Sequence, residues 1–429
     1  MPKIAFILPK GYEFAGNKEI SDFLKNEPMM QNIRNIWSAP NLGLLTIASL
    51  TPRDWDMDYI EEMKTDIDFN AGYDIVAISC MTQQIDRGFE IASEFKKRGA
   101  LTVIGGIHVT VENSEAPKYC DIVFIGEAEV SWPQFIEDYK KGVYKSVYNA
   151  QDYKPFDICT PIIPRYDLLK SSDYSTITIN TSRGCNHNCS FCAASKIYGE
   201  KYRRKENCQI ISEIMYIKEL FPGKHILFGD DNLLISKKES KDLLRMMSSL
   251  NVRWIAQTDI AIADDHELLE LMYKSGCIYV LVGLESIDEN NVAMVLKWKA
   301  QRTKNYKRDI GIIQKHGIGV IGSFVFGLPY DNEKSAEKLS EFIDECNLLG
   351  IHVATPTPYP GTRYRKEMEN SGKLIYKPWS KYTYWDVLIK PEFMTENKLQ
   401  QCIVEIYKRF ASKENIESRF RNFIKNMRQ

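Results

Sequence analysis

A chain of 429 residues, 44% hydrophobic and 26% charged, can bury the cores of two or three domains without covalent staples. Its formal net charge of −1 gives no overall field favouring nucleic acid, and no apolar run approaches the ~20 residues that cross a bilayer. Ten mostly isolated cysteines lack the dense pattern of a secreted disulfide framework, and the N-terminus lacks the apolar core and cleavage site of a signal peptide, so the expected location is a reducing cytoplasm.

From Lys3 onward short apolar runs alternate with amphipathic stretches: KIAFIL, a helix around Leu44 to Leu50, DIVAISC, a helix around Arg87 to Lys97, LTVIGG and DIVFIG. This alternation predicts a doubly wound α/β domain over residues 1–145, with its ligand at the carboxyl ends of a parallel sheet. Ser79, Met81, Thr82 and Gln83 follow one strand, Gly105, Gly106 and His108 the next, and Gly126 and Glu127 the third. Glycine at a strand end lets the backbone approach a ligand closely, although each pair is also an ordinary turn. Scattered prolines (Pro155, Pro161, Pro164) mark residues 146–174 as a linker.

A second alternation starts at TITINTS and runs at once into SRGCNHNCSFC. Cys185, Cys189 and Cys192, spaced C-x3-C-x2-C, place three thiolates on one loop. An iron-sulfur cubane takes four ligands, so three leave one iron open. A structural zinc with His187 as fourth ligand competes, but such sites join two separated ligand pairs, and no second CxxC or HxxxH exists here. The strands HILFGDD, RWIAQTD, IYVLVGLES, IGVIGSFVFGL and IHVATPTPYP follow, too few for a closed eight-strand barrel, so residues 175–372 are expected to form an open (β/α)6 partial barrel. Its strand ends offer Asp230, Asp231 and Asn232, then Gln257, Glu285, Gly322 with Ser323, and Thr357 with Tyr359. Arg203, in the basic run KYRRK, has a fork suited to a carboxylate or phosphate. Residues 373–429 turn aromatic (KPWSKYTYWDVL, containing Trp385) and then helical, a small mostly helical domain or lid.

The cysteine loop resembles that of the radical S-adenosylmethionine (SAM) enzymes, and PNLGLLTIAS, DIVAISCMT, VIGGIHVT and DIVFIGEAE ahead of it resemble the cobalamin-binding domain of that family's cobalamin-dependent branch, the class B methylases. The resemblance implies a Rossmann-like cobalamin domain, a partial TIM barrel of the radical SAM type and a 4Fe-4S cluster on Cys185, Cys189 and Cys192. SAM would be chelated by the open iron and touched by Phe191, Gln257, Glu285, Gly322, Ser323 and Thr357. Cobalamin would lie on Ser79, Met81, Thr82, Gln83, Gly105, Gly106, His108, Gly126 and Glu127. The signature D-x-H-x-x-G is absent from these residues, so no histidine is expected beneath cobalt, and Met81, Gln83 or Gln84 are the candidates there. Asp230, Asp231, Asn232, Tyr359 and Trp385 are candidate substrate contacts.

The activity so implied is transfer of a methyl group from methylcobalamin to an unactivated carbon, after hydrogen abstraction by the 5'-deoxyadenosyl radical; no acid-base dyad is needed. A small-molecule, lipid or peptide substrate and an electron donor such as flavodoxin or ferredoxin would be the partners, with no nucleic acid. Related enzymes catalyse cyclisation, ring rearrangement or oxidation without net methyl transfer. A two-cluster methylthiotransferase, with Cys80, Cys120 and Cys159 holding the other cluster, is the second alternative, although no basic RNA-binding module follows the barrel.

Overall fold

The structure, a computed structural model, describes residues 1–11, 18–27, 39–187 and 189–427. Its first sheet has six parallel strands: β1 (Lys3–Leu8), β2 (Asp56–Glu61), β3 (Ile75–Ser79), β4 (Leu101–Gly105), β5 (Ile122–Ile125) and β6 (Val147–Asn149), in the order β2-β1-β3-β4-β5-β6. The central runs are apolar throughout because both faces are covered, as a parallel sheet requires. Ile4 and Phe6 pack with Leu44 and Trp132 on one face, while Ala5 and Ile7 pack with Ile85 and Phe89 on the other. From β1 the chain turns to β2 on one side and then to β3 on the other. The loops after β1 and β3 therefore part, and a crevice opens at the carboxyl ends of the strands.

β2 and β6 have no counterpart in the apolar runs of the sequence. β2 is the acidic edge DMDYIE, and β6 carries the sheet beyond residue 145, into the stretch read as linker. Farther along that stretch Tyr166 enters the apolar core of the second sheet, and its fully buried hydroxyl donates to Glu213 Oε1 at 2.7 Å.

The second sheet is built from β7 (Thr176–Ile179), β10 (His225–Phe228), β11 (Trp254–Asp259), β12 (Cys277–Glu285), β13 (Gly319–Val325) and β14 (Gly350–Ala354), ordered β14-β13-β12-β11-β10-β7 and parallel throughout. Each strand lies beside its predecessor, the order a βα barrel segment produces. A two-residue antiparallel ladder, β8 (Ser182–Arg183) with β9 (Arg203–Arg204), brackets the cysteine loop and fixes both its ends. Gly184, at φ +85°, is required there, since a Cβ would sit 2.5 Å from the Lys201 carbonyl oxygen.

The C-terminal helix Glu396–Phe410 does not stand apart as a separate unit. Leu399, Ile403 and Phe410 enter the same apolar core as β12 and β13, and the Tyr407 hydroxyl accepts from Val353 N at 2.9 Å. The preceding segment reaches the first sheet: Ser380 N donates to Asp86 Oδ2 at 3.0 Å, and the Trp379 ring meets His108 edge-on at 4.9 Å. Among the described residues no helix is long and apolar enough to cross a membrane.

Candidate active site

The cysteine loop is anchored from below by an acid. Asp230, just past β10 and 1% exposed, accepts from Thr181 N at 3.1 Å, from Thr181 Oγ1 at 2.9 Å and from Ser182 Oγ. Burial raises its carboxyl above the ordinary range, and these donors pull the other way. The sequence reading places Asp230 against substrate; the structure gives its oxygens to the strand end ahead of Cys185. Asn232 is likewise withdrawn, donating to Asp259 Oδ2 at 2.8 Å. His187 Nε2 lies 3.3 Å from the same oxygen, and the His187 ring tilts against Trp298 at 5.6 Å, so both residues brace the loop.

Burial pushes the Cys189 thiol up to about 12, with Glu285 adding to the push and Lys299 opposing it, and pushes Cys192 up to about 11; Cys185 is raised for the same first reason. Three such thiols become thiolates only when a strongly positive group compensates them, which is what ligation by iron supplies. No three His, Cys, Asp or Glu side chains among the described residues converge on one point as the ligands of a single ion do. A cubane needs no such convergence, because each thiolate binds a separate iron. The donor set thus fits a cluster with one open corner.

Two cavities meet beside this loop. One, of about 330 Å³, is lined by Phe191 and Cys192, by Glu285, Ser323, Thr357 and Tyr359 from the second sheet, and by Met81, Thr82 and Gln83 from the first. The other, of about 390 Å³, lies on Ser79, Gly105, Gly106, Gly126 and Glu127 at the carboxyl ends of the first sheet. Both are lined by Met81, Ile107, Ile197, Tyr198 and Asp231. Burial, and then the charge of Asp230, pushes the Asp231 carboxyl up to about 6. Thr178 Oγ1, on the wall of the second cavity, is buried without a partner, a polar atom suited to a bound ligand.

Other candidates fall elsewhere. Gln257 and Gly322 line neither cavity, and a Cβ on Gly322 would lie 2.7 Å from the Phe324 ring, so that glycine serves core packing. His108 is 2% exposed under Trp379. Trp385 donates from Nε1 to the Tyr407 hydroxyl at 3.2 Å, and its neighbour Tyr384, at φ +74°, enters the first cavity instead. Gly106 does line the second cavity, but its φ of +98° is also demanded by its own chain, since a Cβ would come 2.7 Å from Cys80 N. Gln84, a candidate below cobalt, is occupied, with Nε2 donating to Pro9 O at 2.7 Å and Oε1 accepting from Met81 N at 2.9 Å. Arg203 finds its carboxylate inside the chain, pairing with Glu127 Oε2 at 2.9 Å. Cys80 and Cys120, 1% and 3% exposed, lie in the apolar core of the first sheet, while the Cys159 thiol faces the Arg204 carbonyl.

Sequence reasoning missed Lys299, whose side chain is 5% exposed. Its ammonium donates to Glu285 Oε1 and to the Gly283 carbonyl, both at 3.0 Å, and holds Glu285 at φ +67° on the first cavity. Lys299→Met leaves that carboxylate uncompensated beside Cys189, and the expected loss is ~3–5 kcal/mol of stability. Urea unfolding measures it, and the double variant Glu285→Gln with Lys299→Met is expected to recover most of the loss. His352 was also missed, although it is the register partner of Ser323 on β13 and shares its cavity.

A family model described as the radical SAM superfamily matches residues 179–343. Bacteriochlorophyllide d C-12(1)-methyltransferase of Chlorobaculum tepidum is 30% identical over 397 residues, covering 89% of this chain and 86% of that protein. The chain belongs to the radical SAM superfamily. A second relative from the same organism, bacteriochlorophyllide d C-8(2)-methyltransferase, is 29% identical and covers 85% of this radical SAM chain and 84% of its own. Among solved structures, the radical SAM methyltransferase TsrM from Kitasatospora setae, with tryptophan and a SAM analogue bound, matches at TM-score 0.65 and 14% identity over 88% of this chain and 78% of that one. The cobalamin-dependent SAM radical enzyme OxsB, with aqua-cobalamin and SAM bound, matches at TM-score 0.70 and 13% identity over 96% of this chain and 67% of that one. This radical SAM enzyme therefore shares the two-sheet fold of both.

Proposed function

We propose that the chain is a cobalamin-dependent radical SAM C-methyltransferase. The observation that carries this reading is the shared wall of the two cavities: the space at the cysteine loop and the space at the carboxyl edge of the first sheet meet at Met81, Tyr198 and Asp231. Two cofactors held there would face one substrate carbon. When bound, the cluster with SAM supplies a hydrogen-abstracting radical, and cobalamin supplies the methyl group.

The residues divide that work by position. Cys185, Cys189 and Cys192 would hold the cluster; Phe191, Ser323 and Thr357 would flank the nucleoside, and Glu285, fixed by Lys299, would accept from its hydroxyls. Ser79, Gly105 and Gly126 would floor the corrin, and Met81 would stand between the two sites. Apolar and aromatic walls, among them Tyr359 and Tyr384, exclude water from a radical and suit a substrate with an extended apolar carbon skeleton, the character of the chlorophyllides named for the relatives. We assign residues 1–145 to the cobalamin domain, 146–174 to the linker with its β6 extension, 175–372 to the radical SAM domain and 373–429 to a C-terminal helical part. We assign the chain to a reducing cytoplasm, as the mostly isolated spacing of its ten cysteines suggests.

Anaerobic reconstitution tests the reading. It is expected to load about four iron atoms per chain together with a corrinoid, and methyl-deuterated SAM should pass its label to an apolar acceptor. About eight iron atoms without corrinoid would instead mark a two-cluster enzyme, and zinc in place of iron would end both readings.

A further inference from the structure

Tyr384 stands in a backbone conformation that its residue type resists. Its φ of +74° is one that glycine takes freely and a bulky side chain does not. Asn251 and Asn347 share a positive φ, but asparagine tolerates it; the other two such residues, Glu285 and Tyr384, both line the first cavity. Lys299 accounts for Glu285. Tyr384 is held by Thr355, buried just past β14, which donates to the Tyr384 carbonyl from its amide at 2.6 Å and from Oγ1 at 3.0 Å. The neighbours are tied down as well, since Thr383 Oγ1 donates to Asp386 Oδ2 at 2.6 Å and both residues are buried. Strain so firmly held marks a function, and packing is not that function. The Tyr384 ring is 45% exposed, and the rings beside it stand edge-on: His352 at 5.8 Å and 78°, Tyr359 at 5.4 Å and 62°. Two other large apolar side chains of the first cavity are exposed, Met81 just past β3 and Ile107 just past β4, and these two also line the second cavity. Tyr384, Met81 and Ile107 therefore form an apolar lining beside the junction of the two spaces.

We propose that Tyr384 determines substrate specificity by packing its ring on a flat, conjugated ring system of the substrate, with Met81 and Ile107 supplying further apolar contact. The inference deepens the proposed function and rests on it, because a substrate carbon that must face both cofactors has to lie at this junction. Conjugation is what the ring selects: a flat π-system stacks on tyrosine or meets it edge-on, and a puckered saturated ring of the same skeleton gains only the burial of its surface. The fixed backbone readies the wall in advance, so that little freedom is lost when a ligand arrives. The Met81 thioether, flexible and polarisable, adapts to the ligand's outline. Phe191, Ser323 and Thr357, assigned to the nucleoside, come from the cysteine loop and the strands of the second sheet, whereas Tyr384 comes from the C-terminal segment and leaves their contacts intact.

The test is equilibrium dialysis of the reconstituted holoenzyme, with SAM present to fill the nucleoside site, against anthracene-2-carboxylate and its perhydro counterpart. The two probes share one carbon skeleton and differ in conjugation. The wild type should bind the flat probe about fivefold more tightly than the saturated one. Tyr384→Gly should erase that preference and weaken the flat probe about tenfold, while Tyr384→Phe should keep the preference. Iron content, corrinoid content and the SAM dissociation constant should stay within about twofold of the wild type in both variants. Urea unfolding of the metal-free chain checks the strain: Tyr384→Gly should unfold at a higher midpoint than Tyr384→Ala, because both lose the ring and glycine alone is at ease at this φ. A wild type without preference for the flat probe, a preference retained by Tyr384→Gly, or a glycine midpoint no higher than that of alanine overturns the proposal. SAM binding weakened as much as the flat probe would give the ring to the nucleoside and overturn it too. A chain that assembles no cluster overturns the proposed function, whereas a chain that loads cluster and corrinoid and shows no ring preference overturns this inference alone.

Discussion

Alanine at Cys189 will leave a chain that folds, binds corrinoid and produces no 5'-deoxyadenosine. The reason lies in how little the thiol contributes to folding and how much to ligation. Cys189 sits on a loop whose ends are fixed elsewhere, by the β8–β9 ladder and by the buried carboxylate of Asp230. Removing one partly exposed sulfur takes away little packing, so urea unfolding of the metal-free chain should move by less than about 1 kcal/mol. Ligation is different, because a cluster on three protein thiolates has no spare ligand. His187, on the same loop, is engaged with Asp259 and Trp298. Iron content after anaerobic reconstitution, the cluster's electron paramagnetic resonance signal and 5'-deoxyadenosine formation should therefore fall together, and the same holds for Cys185 and Cys192. Full 5'-deoxyadenosine production by any of the three variants would overturn the assignment of the loop.

Much of this site could be read before any coordinates, because its chemistry is local. Three cysteines within eight residues state their own function, and runs such as KIAFIL and DIVAISC announce strands covered on both faces. What stayed hidden depends on register or on long-range pairing. Asp230 and Asp231 are adjacent in sequence, yet one turns into the core and the other toward the cavities. Trp385 and Tyr384 exchange roles by the same parity, and the positive φ at Tyr384 has no signature in the residue type. β2 escaped notice because DMDYIE is an edge strand whose acids face solvent and partner side chains, and β6 because three residues carry no periodicity. Lys299 and Arg183 look like ordinary surface cations until the fold brings carboxylates to them.

Arg183 carries the other large expected effect. It lies directly ahead of the cysteine loop on β8, and its guanidinium reaches across to the first sheet, pairing with Glu127 and Glu129, whose side chains are 16% and 7% exposed. The rings of Phe156 and Tyr198 lie 5.4 and 5.6 Å from its carbon, completing a desolvated seat. Arg203 adds a second cation to Glu127, so the joint between the sheets is an ionic network rather than a single pair. With Arg183→Met, Glu129 is left with no partner cation among the described residues and Glu127 with one, both largely buried. Breaking a buried pair from one side costs ~3–5 kcal/mol, and that loss should appear in the urea midpoint of the metal-free chain. Lysine at this position cannot fork between two carboxylates and should recover less than half of the loss. The triple variant Glu127→Gln, Glu129→Gln, Arg183→Met removes the stranded charges and should regain most of the stability. Because Glu127 lines the second cavity while Arg183 leads into the loop of the first, Arg183→Met should weaken corrinoid retention and iron loading together, measured on one reconstituted sample. Loss of one without the other would show that the two cavities are organised independently and that this ionic joint does not couple them.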